Sequence, residues 1–250
     1  MFGVESTKVM SLIQSDVNRI VVGLGLTGLS TMRYLSRGGL PFSVVDTRDE
    51  VVGIGAIRKE FPSVDIVLGS AGVKLIENAD ELYISPGLSL ELPIFKKAQQ
   101  KACHISGDLD LFAEAVNQPI IAITGTNGKS TVTTLVGEFA RESGLRAAVA
   151  GNIGLPMLDA IDESNDCYVL ELSSFQLERS THLKPAVACL LNVSDDHVDH
   201  HGSLLGYQQA KQRIFSGAGI AVFNYDDILT RPLSRDGLKE VGSVSYTHLT

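Results

Sequence analysis

The chain has 250 residues, 44% of them hydrophobic, and a formal net charge of −8. That length suits two domains with sizeable cores, at roughly 100–200 residues each, and the negative balance argues against wholesale binding of nucleic acid. No apolar run approaches the length of about 18 residues needed to cross a membrane, and the start "MFGVESTKVMSLIQSD" lacks the basic and apolar regions of a secretory signal.

Cytoplasmic residence is therefore expected. Cys103, Cys167 and Cys189 are an odd, scattered set flanked mostly by apolar residues, which points to buried free thiols and not to a disulfide or a metal site. An anionic ligand would need positive charge supplied locally.

In chain order, "NRIVVGLG" reads as a strand, "TGLSTMRYLSRGG" as a helix with a glycine stop, and "PFSVVD", "VDIVLG" and "ELYISPG" as further apolar strands ending in turn residues. Such a βαβ series predicts a parallel sheet. A second series begins near Asp108: strand "PIIAITG", helix "KSTVTTLVGEFARESG", strands "RAAVAGN", "DCYVLELS" and "AVACLLNVS", helix "LGYQQAKQRIFSG" and strand "GIAVFNYDD". The boundary is expected between Ser106 and Pro119, with no internal repeat or low-complexity segment.

Two glycine turns carry the chemistry. "GLGLTG", Gly23 to Gly28, fits G-x-G-x-x-G after a strand and before a helix, and Asp46 ends the next strand 18 residues after Gly28. This is the dinucleotide fingerprint, with an acid placed for a ribose. An NAD-type reading would ask for a hydride-accepting site downstream, whereas the second half offers a phosphate loop. A different nucleotide suits the first half better.

"TGTNGKST", Thr124 to Thr131, is a shortened phosphate loop: Gly125 and Gly128 enclose two residues where the common pattern has four. Successive backbone N–H groups and a helix N-terminus converge there on one small volume. Lys129 would reach the β- and γ-phosphates, and the Ser130 hydroxyl would ligate Mg²⁺. Glu171 ends a buried apolar strand, where a carboxylate is costly unless paired or metal-bound. "NVSDDHVDHHG", Asn192 to Gly202, reads either as a transition-metal cluster or as a solvated polar loop; His197 is expected to point inward from the preceding strand. Lys211, on an amphipathic helix, reads by default as surface charge.

In order along the chain, "GLGLTGLS", "DTR" (Asp46 to Arg48), "SPG" (Ser85 to Gly87), "TGTNGKST", "GNIG" (Gly151 to Gly154), "LELSSFQLE", "NVSDDHVDH" and "AKQRIF" resemble the Mur ligase family, in the branch that adds D-glutamate to a peptidoglycan precursor. The likeness runs from about Val17 to Asp227. It implies an α/β chain: a Rossmann-like N-terminal domain with a parallel sheet over residues 1–107, then a P-loop-type α/β central ATPase domain over 108–243.

The resemblance implies that the first domain binds UDP-N-acetylmuramoyl-L-alanine, with Leu26 and Thr27 at the pyrophosphate, Asp46, Thr47 and Arg48 around the uracil, and Ser85, Pro86 and Gly87 close by. It implies that ATP is held by Gly125, Thr126, Asn127, Gly128, Lys129, Ser130 and Thr131, with one Mg²⁺ at Ser130. Asn152 and Ser173 would contact the muramoyl-alanine end. Glu171 and His197 would hold a second Mg²⁺, and Lys211 would react with CO₂ to become a carbamate beside it, so that Lys129, His197 and Lys211 form the catalytic set. His197 is a metal ligand in this scheme, not a general base. The expected protein is a monomeric, cytoplasmic amide-forming ligase taking ATP and D-glutamate and serving cell-wall synthesis.

The family's third, C-terminal Rossmann-like domain has no counterpart in these 250 residues, so the chain alone is expected not to be a competent ligase. The last residues, 244–250, are expected to be a non-native tail resembling translated adapter sequence. Two other functions remain open: an NAD-dependent oxidoreductase built on the first turn, and a non-catalytic nucleotide-binding module.

Overall fold

A computed structural model describes residues 17–233 and 237–244. Apart from Val244, the expected non-native tail lies outside the described residues. The chain divides after Asp108 into two compact units. Among the described residues no helix is long and apolar enough to cross a membrane.

The first unit is built on β1 (Arg19–Val22), β2 (Ser43–Asp46), β3 (Ile66–Leu68), β4 (Glu81–Ile84) and β5 (His104–Ser106), in the order β3-β2-β1-β4-β5. Every pairing is parallel. Strand β1 reads RIVV with all four residues buried, because a parallel strand covered on both faces has no solvent side to alternate with. Around the sheet run α1 (Leu26–Arg37), α2 (Ile54–Glu60), α3 (Val73–Glu77) and α4 (Pro93–Gln100). Phe95 and Ala98 of α4 join Ile20, Val22, Leu82 and Ile84 in the core. Strand order reverses at β1, so a crevice opens at the carboxyl ends of β1 and β4, the position where open α/β sheets bind ligands.

Helix α5 (Asp108–Ala115) leads into the second unit. Its sheet runs β11-β10-β9-β6-β8-β7, with β6 (Ile120–Thr124) central, flanked by β8 (Cys167–Glu171) and β9 (Val187–Leu190). Strand β7 (Ala147–Gly151) lies beyond β8, and β10 (Ile220–Asn224) and β11 (Lys239–Ser243) beyond β9. All pairings are again parallel. The connecting helices are α6 (Lys129–Glu142), α7 (Ser174–Arg179), α8 (Val198–His201) and α9 (Leu204–Gln212). Tyr168 of β8 meets Phe112 edge to face at 5.0 Å between ring centroids, and its hydroxyl bonds the backbone of Asp162 at 3.0 Å. A buried tyrosine needs such a polar outlet.

The predicted α/β class and parallel sheets are present. One expectation fails in part. Only Cys167 is buried, while Cys103 and Cys189 are half-buried, although all three thiols are free. Cys103 follows Ala102 in the turn before the short edge strand β5, so one side of it meets solvent.

Candidate functional site

In the first unit the glycine turn leaves β1 with Gly23 at φ +104, a conformation L side chains rarely adopt. A Cβ on Gly28 would lie 1.8 Å from the Gly23 carbonyl oxygen, whereas one on Gly25 would meet nothing within 4 Å. Gly28 therefore lets α1 pack on the turn, and Gly25 leaves open space above it, the geometry by which a pyrophosphate approaches backbone. Leu26 is 77% exposed beside this space, and Thr27 accepts a hydrogen bond from the Thr31 hydroxyl at its carbonyl. Ser85, Pro86 and Gly87 follow β4 at the same end of the sheet.

Asp46 is only 3% exposed. Its carboxylate accepts the Leu24 N–H at 2.7 Å, the Arg48 N–H at 3.0 Å, and the Arg48 guanidinium at 2.8 and 2.7 Å. The guanidinium hydrogen bonds outweigh burial and, with the two N–H groups, hold Asp46 down at about 2. Both oxygens are thus engaged within the protein. Asp46 ties β2 to the glycine turn and orients Arg48, whose side chain is largely exposed.

In the second unit, β6 delivers Thr124 into the phosphate loop. Gly128, at φ +79, opens the 14-residue α6. The first-turn N–H groups at Lys129, Ser130 and Thr131 have no intrahelical acceptor. Two neighbouring amides are already spent: Asn192, just past β9, accepts the N–H of Thr126 at 3.0 Å and of Asn127 at 2.8 Å on Oδ1, and its Nδ2 donates to the Asn127 carbonyl at 2.9 Å. Two lysines reach consecutive loop carbonyls. Lys129 Nζ donates to Thr126 O at 2.9 Å, and Lys211 Nζ donates to Gly125 O at 2.8 Å.

Lys211 is 1% exposed, the opposite of the default surface reading, and lies over the Tyr207 ring at 4.5 Å. Burial, helped by the Lys129 charge and opposed by Asp196, lowers Lys211 to about 7. Glu171, 1% exposed at the end of β8, accepts Asn152 Nδ2 on Oε1 at 2.8 Å. Its Oε2 is buried without a hydrogen-bond partner. Such an orphaned carboxylate oxygen costs about 1–3 kcal/mol or more unless a cation or water meets it, and oxygen donors suit Mg²⁺. The residues therefore fit a divalent cation. Gly151 makes the Asn152–Glu171 contact possible, since a Cβ there would sit 2.3 Å from the Glu171 carbonyl. Ser173 caps α7: its Oγ accepts the Gln176 N–H at 3.2 Å, and the Gln176 side chain accepts the Ser173 N–H at 3.0 Å.

His197 departs from expectation. It does not point inward; its side chain is 49% exposed, because β9 ends at Leu190 and His197 lies in the loop beyond it, in a left-handed conformation at φ +51 that starts α8. Among the described residues no hydrogen bond or ion pair joins it to Glu171; its partners are Asp196 and the rings of Phe175 and Tyr207. Within the motif Val193 is buried, while His200 and His201 are half-buried. Asn192 lies inside the quoted motif, yet its clamp role has no signal in sequence beyond an amide following a strand.

Residues 17–107 match the N-terminal domain family described as Mur ligase, MurD-like, and residues 123–247 match the Mur ligase middle domain. The chain belongs to the Mur ligase family. A relative in Pseudomonas aeruginosa, named UDP-N-acetylmuramoylalanine--D-glutamate ligase, is 52% identical over 227 residues, covering 91% of this chain and 51% of the relative. One of that name in Marinobacter nauticus is 48% identical over 230 residues, covering 92% and 52%. The chain thus spans about half the length of the curated relatives it matches. Among solved Mur ligases, UDP-N-acetylmuramate:L-alanyl-γ-D-glutamyl-meso-diaminopimelate ligase from Neisseria meningitides superposes with a TM-score of 0.56 at 17% identity, covering 85% of this chain and 73% of that one. At that identity the likeness concerns the fold alone.

Proposed function

We propose that this chain supplies the uridine-nucleotide and ATP-binding parts of a ligase that adds D-glutamate to UDP-N-acetylmuramoyl-L-alanine in peptidoglycan synthesis. The printed names of the relatives at about half identity support the substrate pair. One observation carries the ATP reading: two lysines converge on adjacent carbonyls of a glycine-rich loop that ends a central parallel strand and opens a long helix. In a chain of net charge −8, Lys129 places a positive charge where a phosphate tail would meet free N–H groups.

A carboxylate and an amine do not condense in water without activation. The γ-phosphoryl group of ATP passes to the alanine carboxylate, giving an acyl phosphate and ADP; the D-glutamate amine then attacks that carbonyl, phosphate leaves, and the amine proton is lost. Lys129 and the N–H groups of Lys129, Ser130 and Thr131 hold the β- and γ-phosphates in line and offset the charge that builds on the transferring group. Gly125, Thr126, Asn127 and Gly128 shape that cradle. Ser130 would hold one Mg²⁺; Glu171, His197 and Lys211 as its carbamate would hold a second. Bound Mg²⁺ supplies neutralisation of phosphate charge and a template for in-line transfer.

Lys211 is suited to carbamate formation because its nitrogen must be neutral to attack CO₂, and burial favours the neutral form near pH 7. The proton lost on bond formation leaves an anionic oxygen donor in place of a cation. Asn152 fixes the Glu171 carboxylate, and with Ser173 would meet the muramoyl-alanine end. In the first unit, Gly25, Leu26 and Thr27 would receive the pyrophosphate, with Asp46, Thr47, Arg48 and Ser85 to Gly87 receiving the uridine end.

Calorimetric titration with ATP and Mg²⁺ tests the central residue. Binding to the wild-type chain and its loss in Lys129→Ala support the reading; equal binding by both removes Lys129 from it.

A further inference from the structure

We propose that Glu178, His200 and His201 form a site for a first-row transition-metal dication, with Zn²⁺ as the reference ion, separate from the residues assigned to Mg²⁺ above. One ligand atom from each of the three residues lies within 4.8 Å of the other two. Glu178 comes from α7, and the two histidines end α8. All three are half-buried, so the site is partly desolvated yet reachable by an ion.

The donor set decides the class of ion. Two imidazoles and one carboxylate suit Zn²⁺ and its neighbours, whereas Mg²⁺ takes oxygen donors. His200 Nε2 lies 2.9 Å from Glu178 Oε2, the distance of a shared proton, and a metal ion would take that proton's place. Zn–N and Zn–O bonds near 2.0–2.2 Å at a tetrahedral angle set neighbouring donors about 3.4 Å apart, so this pair need spread by only about half an ångström.

The rings are already steered. His201 Nε2 meets the Ser174 hydroxyl at 3.0 Å, an outer hydrogen bond of the kind that fixes a ligating imidazole. The Phe175 ring walls the cluster, edge-on to His200 at 4.6 Å and stacked on His201 at 5.5 Å between centroids. Three protein donors leave a fourth position for water. Occupancy would fasten α8 to α7 and so fix the turn at His197, which starts α8. The proposal does not rest on the ligase reading, and its test needs neither ATP nor precursor.

The experiment uses the untagged chain, stripped by chelator and titrated with Zn²⁺ by calorimetry, while the six imidazoles are followed by proton NMR. The expected result is micromolar or tighter binding at one site, with the His200 and His201 ring signals shifting together. His200→Ala and His201→Ala should each weaken binding by about tenfold or more, while His182→Ala, whose imidazole pairs with Glu114, leaves it unchanged. Ring shifts in the wild-type chain report the site even if a variant fails to fold. No micromolar binding, binding unaffected by either variant, or shifts confined to other histidines would overturn the proposal and leave Glu178 and His200 as a simple ion pair.

Discussion

Asn192 grips Asn127 from both ends of its side-chain amide: Oδ1 accepts the Asn127 N–H at 2.8 Å, and Nδ2 donates to the Asn127 carbonyl at 2.9 Å. The same Oδ1 also takes the Thr126 N–H, so one residue past β9 sets the loop that follows β6. Each such bond contributes about 1 kcal/mol net, and water replaces part of it at this exposed position. Asn192→Ala is expected to weaken ATP binding by about tenfold, the equivalent of ~1.4 kcal/mol, with no effect on uridine-nucleotide binding by the first unit. Calorimetry with both ligands checks this; equal losses for both would indicate general unfolding instead.

Asp46 predicts an acid-sensitive first unit. Its folded value of about 2 lies below its ordinary 3.8, so it contributes stability that is fully present above pH 3.8 and is lost as pH falls through 2. The difference corresponds to about 2 kcal/mol. Denaturant unfolding of the first unit should show Asp46→Asn less stable than wild type at pH 7, with the gap narrowing steadily between pH 4 and 2. A gap that persists unchanged at pH 2 contradicts the assignment.

The two glycines at the start of α1 should fail in different ways. Gly28→Ala forces a methyl onto the Gly23 carbonyl and is expected to destabilise the first unit by about 1–3 kcal/mol, seen as a lower unfolding midpoint. Gly25→Ala meets no protein atom within 4 Å and should fold normally, yet lose affinity for a uridine diphosphate sugar, because its methyl occupies the space left for pyrophosphate. Normal binding by Gly25→Ala would move the phosphate site elsewhere.

Lys211 should react as a neutral amine far below the usual lysine range. At pH 8 a group near 7 is about two hundred times more deprotonated than an ordinary lysine at about 10.4. Acetic anhydride, an electrophile that does not itself titrate in this range, should acetylate Lys211 with a rate that levels off above pH 7, read by peptide mass spectrometry. Because the Lys129 charge helps lower Lys211, Lys129→Met should move that inflection upward. A rate still rising at pH 9 in the wild type argues against a depressed amine.

The apolar runs made the central strands legible, since β1 and β8 are buried along their whole length and their sequences carry no polar alternation. Strand β11, KEVGS, is exposed at every position and offers no hydrophobic pattern to read; β5 has three residues. Helix α7 did leave a signal, the Ser173-x-x-Gln176 capping box, which the flanking apolar residues obscured. The glycine turns were readable as tight turns because the backbone at Gly23 and Gly128 adopts a positive φ that favours glycine. The partners of Asp46 and Asn192 were not, since they depend on which loops the sheet order brings side by side. His197 misled for a similar reason: alternation along β9 predicts an inward side chain only while the strand continues, and the strand stops at Leu190, well before the left-handed turn at His197.

The central claim is that the first unit receives a uridine nucleotide sugar and the second an ATP phosphate tail. Titration of this chain with UDP-N-acetylmuramoyl-L-alanine and, separately, with NADH tests it most directly. The account predicts saturable binding of the uridine ligand and none of NADH; binding of NADH with no response to the uridine ligand would contradict it.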